Sequence, residues 1–175
     1  RMHYSTEVNA SLAWQSLQIF QNFDDVIGGG DVGWGKTGYM VFVPEDSIDG
    51  FKHNISIQQS VGIDTRIVSL EEARELAPAF QLEEGEAFAW EAQSGHGDPS
   101  GTALAYSTRA RELGARVVLE SPARTVEVEG GRVRAVVTET ERYETPIAVV
   151  AAGPWSGPLL ADMGVDVPLR PLRHQ

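Results

Sequence analysis

The chain has 175 residues, 42% apolar and 22% charged, which is a globular composition long enough to bury a real core. A formal net charge of −11 argues against a nucleic-acid phosphate or an anionic membrane surface as partner. The lack of cysteine excludes disulfides, thiol catalysis and cysteine-ligated metal or iron–sulfur sites, and no apolar run approaches the ~20 residues that span a bilayer.

The opening "RMHYSTEV" lacks the apolar centre of a signal peptide, which agrees with a cytoplasmic protein. Arg precedes Met there, and dense structural signals begin at once, so the chain reads as an internal segment of a longer protein. Val8, Leu12, Ala13, Leu17, Ile19, Phe20 and Phe23 recur mostly at three- and four-residue steps, predicting a helix. Ser5 or Thr6 is its N-cap and Gly28 its stop.

Residues 30–37, "GDVGWGKT", spell G-x-x-x-x-G-K-[ST], and "GGGDVG" (28–33) fits G-x-G-x-x-G. Both motifs bind phosphate only when a strand leads in and a helix follows. Here a helix leads in, and "TGYMVFVPE" follows as a strand. The stretch therefore reads as a helix cap and a turn into a sheet, with Lys36 a solvated strand-end charge. A nucleotide-binding role for Lys36 is the competing reading.

Further on, "DSIDGFKHNISIQQSVGI" is a predicted helix ending at Gly62, and "DTRIV" a short strand. "SLEEARELAP" is a helix opened by a Ser69/Glu72 capping box and stopped by Pro78. "EAFAWEAQSG" alternates as a strand. In "HGDPSGTALAYSTRARELGA", Asp98 caps a helix, Pro99 takes its first position and Gly114 ends it. "ARVVLES" reads as a strand. "ARTVEVEGGRVRAVVTE" reads as a hairpin turning at Gly130-Gly131, with "ERYET" a further strand. Last, "PIAVVAAGPWSGPLLADMG" runs from a buried apolar strand, 147–150, through small residues into a helix near Trp155.

These elements predict an α/β (α+β) fold: a partial doubly wound domain joined to a mixed-sheet domain. The expected divisions are 1–95 as an α+β segment, 96–165 as part of a doubly wound α/β domain with a hairpin insert, and 166–175 as the return to the first. An unpaired sheet edge in such a segment offers a route to homo-oligomers. His53 and His96 are isolated, and no His/Asp/Glu grouping has metal-ligand spacing, so no metal is expected.

The most informative stretch is "VVAAGPWSGPLL...GVDVPLRPLRHQ". Small residues at Ala151-Ala152-Gly153, after an apolar strand, allow a backbone or a flat ligand to approach closely. Tight strand-to-helix packing would use the same residues. The stretch resembles the D-amino-acid-oxidase-like flavoprotein family of glycine oxidase and sarcosine oxidase, where A-x-G-x-W-S precedes a helix and then P-x-R-G-Q. "HGDPSGTALAYSTRARELGARV" resembles the family's D-P helix and following strand, "TVEVEGGRVRAVVTE" its hairpin, and "RMHY" the segment carrying a substrate-carboxylate arginine. In place of the family's glycine, Pro171-Leu172-Arg173-His174-Gln175 has His174.

The resemblance implies an FAD enzyme that oxidises a carbon–nitrogen bond of a small amino acid or N-methyl amino acid, sarcosine- or glycine-like, with hydride passing to the flavin. It makes 1–95 a substrate-domain segment and 96–165 part of a cofactor-binding domain. It places Ala151, Ala152, Gly153, Trp155 and Leu159 along the FAD, with the backbone at Ala123 and Arg124 beside the adenine. It makes Arg1 the group for the substrate carboxylate and His3 and Tyr4 pocket-lining residues; it names no catalytic acid or base. The family's G-x-G-x-x-G loop would lie before the region covered here, and residues 28–33 do not replace it. The alternative function is a non-catalytic binding or assembly module keeping part of the oxidoreductase fold.

Overall fold

The computed structural model describes residues 1–172. Fourteen regular elements follow in chain order: α1 (Glu7–Gln21), α2 (Phe23–Ile27), β1 (Gly35–Lys36), β2 (Tyr39–Val43), α3 (Ile48–Ser60), β3 (Thr65–Val68), α4 (Leu70–Leu76), β4 (Ala87–Glu91), β5 (Gly95–His96), α5 (Pro99–Glu112), β6 (Thr125–Glu129), β7 (Arg132–Val137), β8 (Arg142–Glu144) and α6 (Ser156–Ala161). The mixed helix-and-sheet class is the expected one. The chain divides into two compact units, 1–116 and 117 onward.

In the first unit the local signals act as the sequence indicates. Thr6 caps α1 through Asn9 N–H, Ser69 caps α4 through Glu72 N–H, and Asp98 caps α5 through Ser100 and Gly101 N–H. The single helix expected to run from Thr6 to Gly28 is interrupted at Asn22, which caps α1, and Gly28 ends α2 in the left-handed conformation at φ 90°. The central sheet has the order β2-β4-β3, all antiparallel. On β4, Phe88 and Trp90 belong to the face packed with Val68, Ala73 and Leu82. Ala87 and Ala89 lie on the opposite face, against Phe51 and Ile55 of α3. A separate cluster joins Ala10 and Leu17 of α1 to Met2 and Ile63.

Packing decides two further features of this unit. Val8 and Leu12 are exposed; the stripe of α1 that packs runs Ala10, Ala13, Trp14, Leu17, a cleaner i, i+3, i+4, i+7 series. Helix α5 packs Ala105 against Phe23 and Val32 and belongs to the first unit. A Cβ on Gly30 would stand 2.5 Å from the Ala105 Cβ. The glycine run is therefore where the chain passes close to α5. The order helix, glycine loop, strand is as expected, and exposed Lys36 ends the two-residue strand β1.

The second unit is built on the antiparallel sheet β6-β7-β8. Gly130 and Gly131, at φ 58° and 73°, make the hairpin turn that two left-handed residues require. Arg142 ties the outer strands, donating to Glu127 Oε2 at 2.8 Å and to Glu144 Oε1 at 2.8 Å. The strands expected at 115–121 and 147–150 are not formed. Both stretches lack ladder partners among the described residues, and Ile147 and Val149 are 74% and 87% exposed. An apolar parallel strand is defined by its neighbours, and its own residues do not supply them.

Candidate functional site

The first unit contains a cavity of about 600 Å³ lined by Arg1, Met2, Tyr4, Ala13, Ser16, Leu17, Phe20, Trp34, Gly95, Gly97, Pro99, Thr102 and Ala103. One face of α1 supplies Ala13, Ser16, Leu17 and Phe20. The first turn of α5 supplies Pro99, Thr102 and Ala103. Gly97 lets the floor close up: a Cβ there would lie 3.2 Å from the Val32 carbonyl oxygen and 3.3 Å from the Phe20 ring. Phe20 and Trp34 stack at 6.0 Å between ring centroids.

Among these lining residues Arg1 alone is charged. The Tyr39 hydroxyl near its guanidinium raises its affinity for a proton further; burial opposes this, and Tyr4 and Glu91 add smaller effects. The Arg1 side chain is exposed at this wall, and a guanidinium recognises carboxylate or phosphate bidentately. Tyr4 shares that wall. His3 points elsewhere: its ring lies 5.7 Å from Phe51, and Gln58 Nε2 is 2.9 Å from His3 Nδ1.

Behind the Arg1–Tyr4 segment lies a buried polar group. Glu91 Oε2 accepts the Met2 backbone N–H at 2.8 Å and the Ser94 hydroxyl at 2.7 Å. Glu91 Oε1 lies 3.9 Å from His3 Nδ1, and Oε1, Gln58 Oε1 and Thr65 Oγ1 find no hydrogen-bond partner among the described residues. Burial holds the His3 imidazole below its usual pKa, against the opposing pull of Glu91 and the Gln58 bond. Which of Gln58 Nε2 and His3 Nδ1 donates across their 2.9 Å contact is set by the His3 tautomer.

The second unit contains a cavity of about 780 Å³ lined by Pro122, Ala123, Arg124, Ala152, Trp155, Pro158, Leu159 and Asp162. Five of the seven residues expected along the FAD meet there: Ala123, Arg124, Ala152, Trp155 and Leu159. Ala151 and Gly153 flank Ala152; Gly153 opens a 3₁₀ turn at φ 53°, and nothing lies within 4 Å of a Cβ built on it. Trp155 is 74% exposed. Arg124 pairs with Glu139. Small side chains, an open glycine and a free indole face fit a flat ring system, which is one portion of FAD.

Sequence reasoning missed the wall formed by Ser16, Phe20, Trp34, Thr102 and Ala103. The α1 members repeat at helical spacing, and "GHGDP" announces the floor and the α5 cap, so a signal existed. Glu91 and Gln58 were missed because each occupies a position whose periodicity reads as core. No group of three or more His, Asp or Glu side chains placed to hold a metal occurs among the described residues. His174 and Arg173 lie outside the described residues.

The sequence pattern of the FAD dependent oxidoreductase family matches residues 2–175. Mitochondrial sarcosine dehydrogenase of Mus musculus is 25% identical over 175 residues, covering 97% of this chain and 19% of that protein. The anaerobic glycerol-3-phosphate dehydrogenase subunit A1 of Haloferax volcanii is 32% identical over 149 residues, 77% of this chain and 25% of its own length. Among solved structures, L-proline dehydrogenase from P. horikoshii superimposes with a TM-score of 0.83 at 25% identity, covering 94% of this chain and 44% of that one. The chain thus spans less than half the length of each of these relatives. No helix among the described residues is long and apolar enough to cross a membrane.

Proposed function

The chain belongs to the FAD dependent oxidoreductase family, and from that premise we propose that it is the middle segment of an enzyme oxidising the carbon–nitrogen bond of a small amino acid or N-methyl amino acid. The observation that carries the reading is Arg1, the single charged side chain among the residues lining the cavity. When bound, FAD supplies the redox chemistry, taking hydride from the carbon next to nitrogen. The residues of this chain bind and orient: Arg1 takes the substrate carboxylate, while Tyr4, Phe20 and Trp34 enclose its apolar part and exclude water. Ala123, Arg124, Ala151, Ala152, Gly153, Trp155 and Leu159 hold part of the cofactor.

Sarcosine dehydrogenase and L-proline dehydrogenase support an amine substrate. The glycerol-3-phosphate relative matters because a guanidinium also fits a phosphate. The test is anaerobic bleaching of the flavin spectrum of the full-length protein by a panel: sarcosine, glycine, L-proline, D-alanine and glycerol 3-phosphate. Bleaching by one or more of the amino acids is expected. Bleaching by glycerol 3-phosphate alone, or a protein that cannot be loaded with FAD, contradicts the reading.

A further inference from the structure

Glu91 ends the central strand β4 on the face that carries Ala87 and Ala89, and it is fully buried. A carboxylate in such a place is costly unless it is bonded. Its bonds are specific. The Met2 N–H and the Ser94 hydroxyl converge on one oxygen, Oε2, at 2.8 and 2.7 Å. Met2 follows Arg1, and Ser94 precedes Gly95; Arg1, Met2 and Gly95 all line the cavity. One oxygen therefore ties together two cavity-wall segments that are distant in sequence. One cross-strand partner of Glu91 is Tyr39, whose hydroxyl lies near the Arg1 guanidinium. A single rung of the sheet thus holds the backbone beside Arg1 through the Met2 N–H and places Tyr39 near the Arg1 side chain.

We infer that Glu91 is a positioning residue for anion recognition, holding the Arg1–Met2 backbone so that the guanidinium presents its fork to the carboxylate of the substrate. This rests on the assignment of Arg1 as the carboxylate-binding group. The mechanism is geometric. A misplaced guanidinium still carries its charge but loses the two parallel bonds that a carboxylate offers.

The test is calorimetric titration of the flavin-loaded full-length protein with acetate, in the wild type and in Arg1→Gln, Glu91→Ala, Glu91→Gln and Ser94→Ala. Arg1→Gln should abolish measurable binding. Glu91→Ala should weaken it by about tenfold. Glu91→Gln should stay within about twofold, because the amide oxygen still accepts from Met2 and Ser94. A purely structural Glu91 would lower the melting temperature in Glu91→Ala and leave the acetate constant unchanged, which overturns the inference. Equal losses in Glu91→Gln and Glu91→Ala also overturn it, since charge and not positioning would then be the cause. If Glu91→Ala does not fold, Ser94→Ala decides: about a threefold loss is expected, and an unchanged constant overturns the inference. Wild-type binding by Arg1→Gln would mean that the Arg1 assignment itself is wrong.

Discussion

Glu91 Oε2 accepts the backbone N–H of Met2 at 2.8 Å, although 89 positions separate the two residues in the chain. Through this bond the segment Arg1–Tyr4 is anchored to the last rung of the central strand, and the wall of the first cavity is set by the sheet. The cavity therefore depends on side chains that never touch its contents, and several consequences can be measured.

His3 belongs to the same buried group and should give stability a pH dependence. Burial lowers its folded-state pKa, so the folded protein binds a proton less readily than the unfolded chain. Its contribution is complete above the unfolded value of about 6.5. It declines as pH falls below that, and the loss is complete below the depressed folded value. Denaturant unfolding of wild type and His3→Gln across pH 7 to 5 should show a shallower decline for the variant. Parallel declines would mean that His3 does not titrate in this window.

Gly38 has φ 75°, and a Cβ on it would collide with the ring of Trp90, which packs on Met40 and the Phe88 cluster. Gly38→Ala should therefore lose at least about 2 kcal/mol in chemical unfolding, from backbone strain and overpacking together. A variant within a few tenths of a kcal/mol of wild type would show that the Trp90 ring moves aside freely.

Trp155 is too exposed to stabilise the fold much, so Trp155→Ala should leave the melting temperature of the apoprotein unchanged. The FAD dissociation constant, measured by recovery of flavin fluorescence on dilution, should rise about tenfold through loss of an aromatic contact. A stability loss with unchanged FAD affinity would assign the indole to packing.

Lys36 ends β1 in solvent, and the glycines before it approach α5. Lys36→Ala should leave stability within about 0.5 kcal/mol and flavin reduction rates unchanged. Neither protein should retain ATP in equilibrium dialysis. Retention lost in the variant would restore the phosphate-loop reading.

Much of this fold is written locally. The Asp98-Pro99 cap, the Ser69 cap and the Gly130-Gly131 turn each act within four residues, so the sequence alone places α5, α4 and the hairpin. Positions 147–150 are strongly apolar yet form no strand, because ladder bonds need a neighbour that four residues do not specify. Val8 and Leu12 look like core on α1, but burial is decided by Met2 and Ile63 arriving from outside the helix. The Ala105 approach to Gly30, which draws α5 into the first unit, is likewise a contact across seventy-odd positions. Arg1 and Tyr4 share a wall, whereas Glu91 and Gln58 carry no motif. Their role emerges only when β4, α3 and the Arg1–Tyr4 segment are brought together.

The central claim is that Arg1 selects the carboxylate of an amine substrate. Its most direct measurement is the anaerobic rate of flavin reduction in the full-length protein by sarcosine and by N-methylethylamine, a matched amine without the carboxylate, in wild type and Arg1→Gln. Wild type should reduce at least about tenfold faster with sarcosine at equal subsaturating concentration, and Arg1→Gln should lose that preference. Equal rates for the two amines in wild type, or a preference that survives Arg1→Gln, would contradict the account.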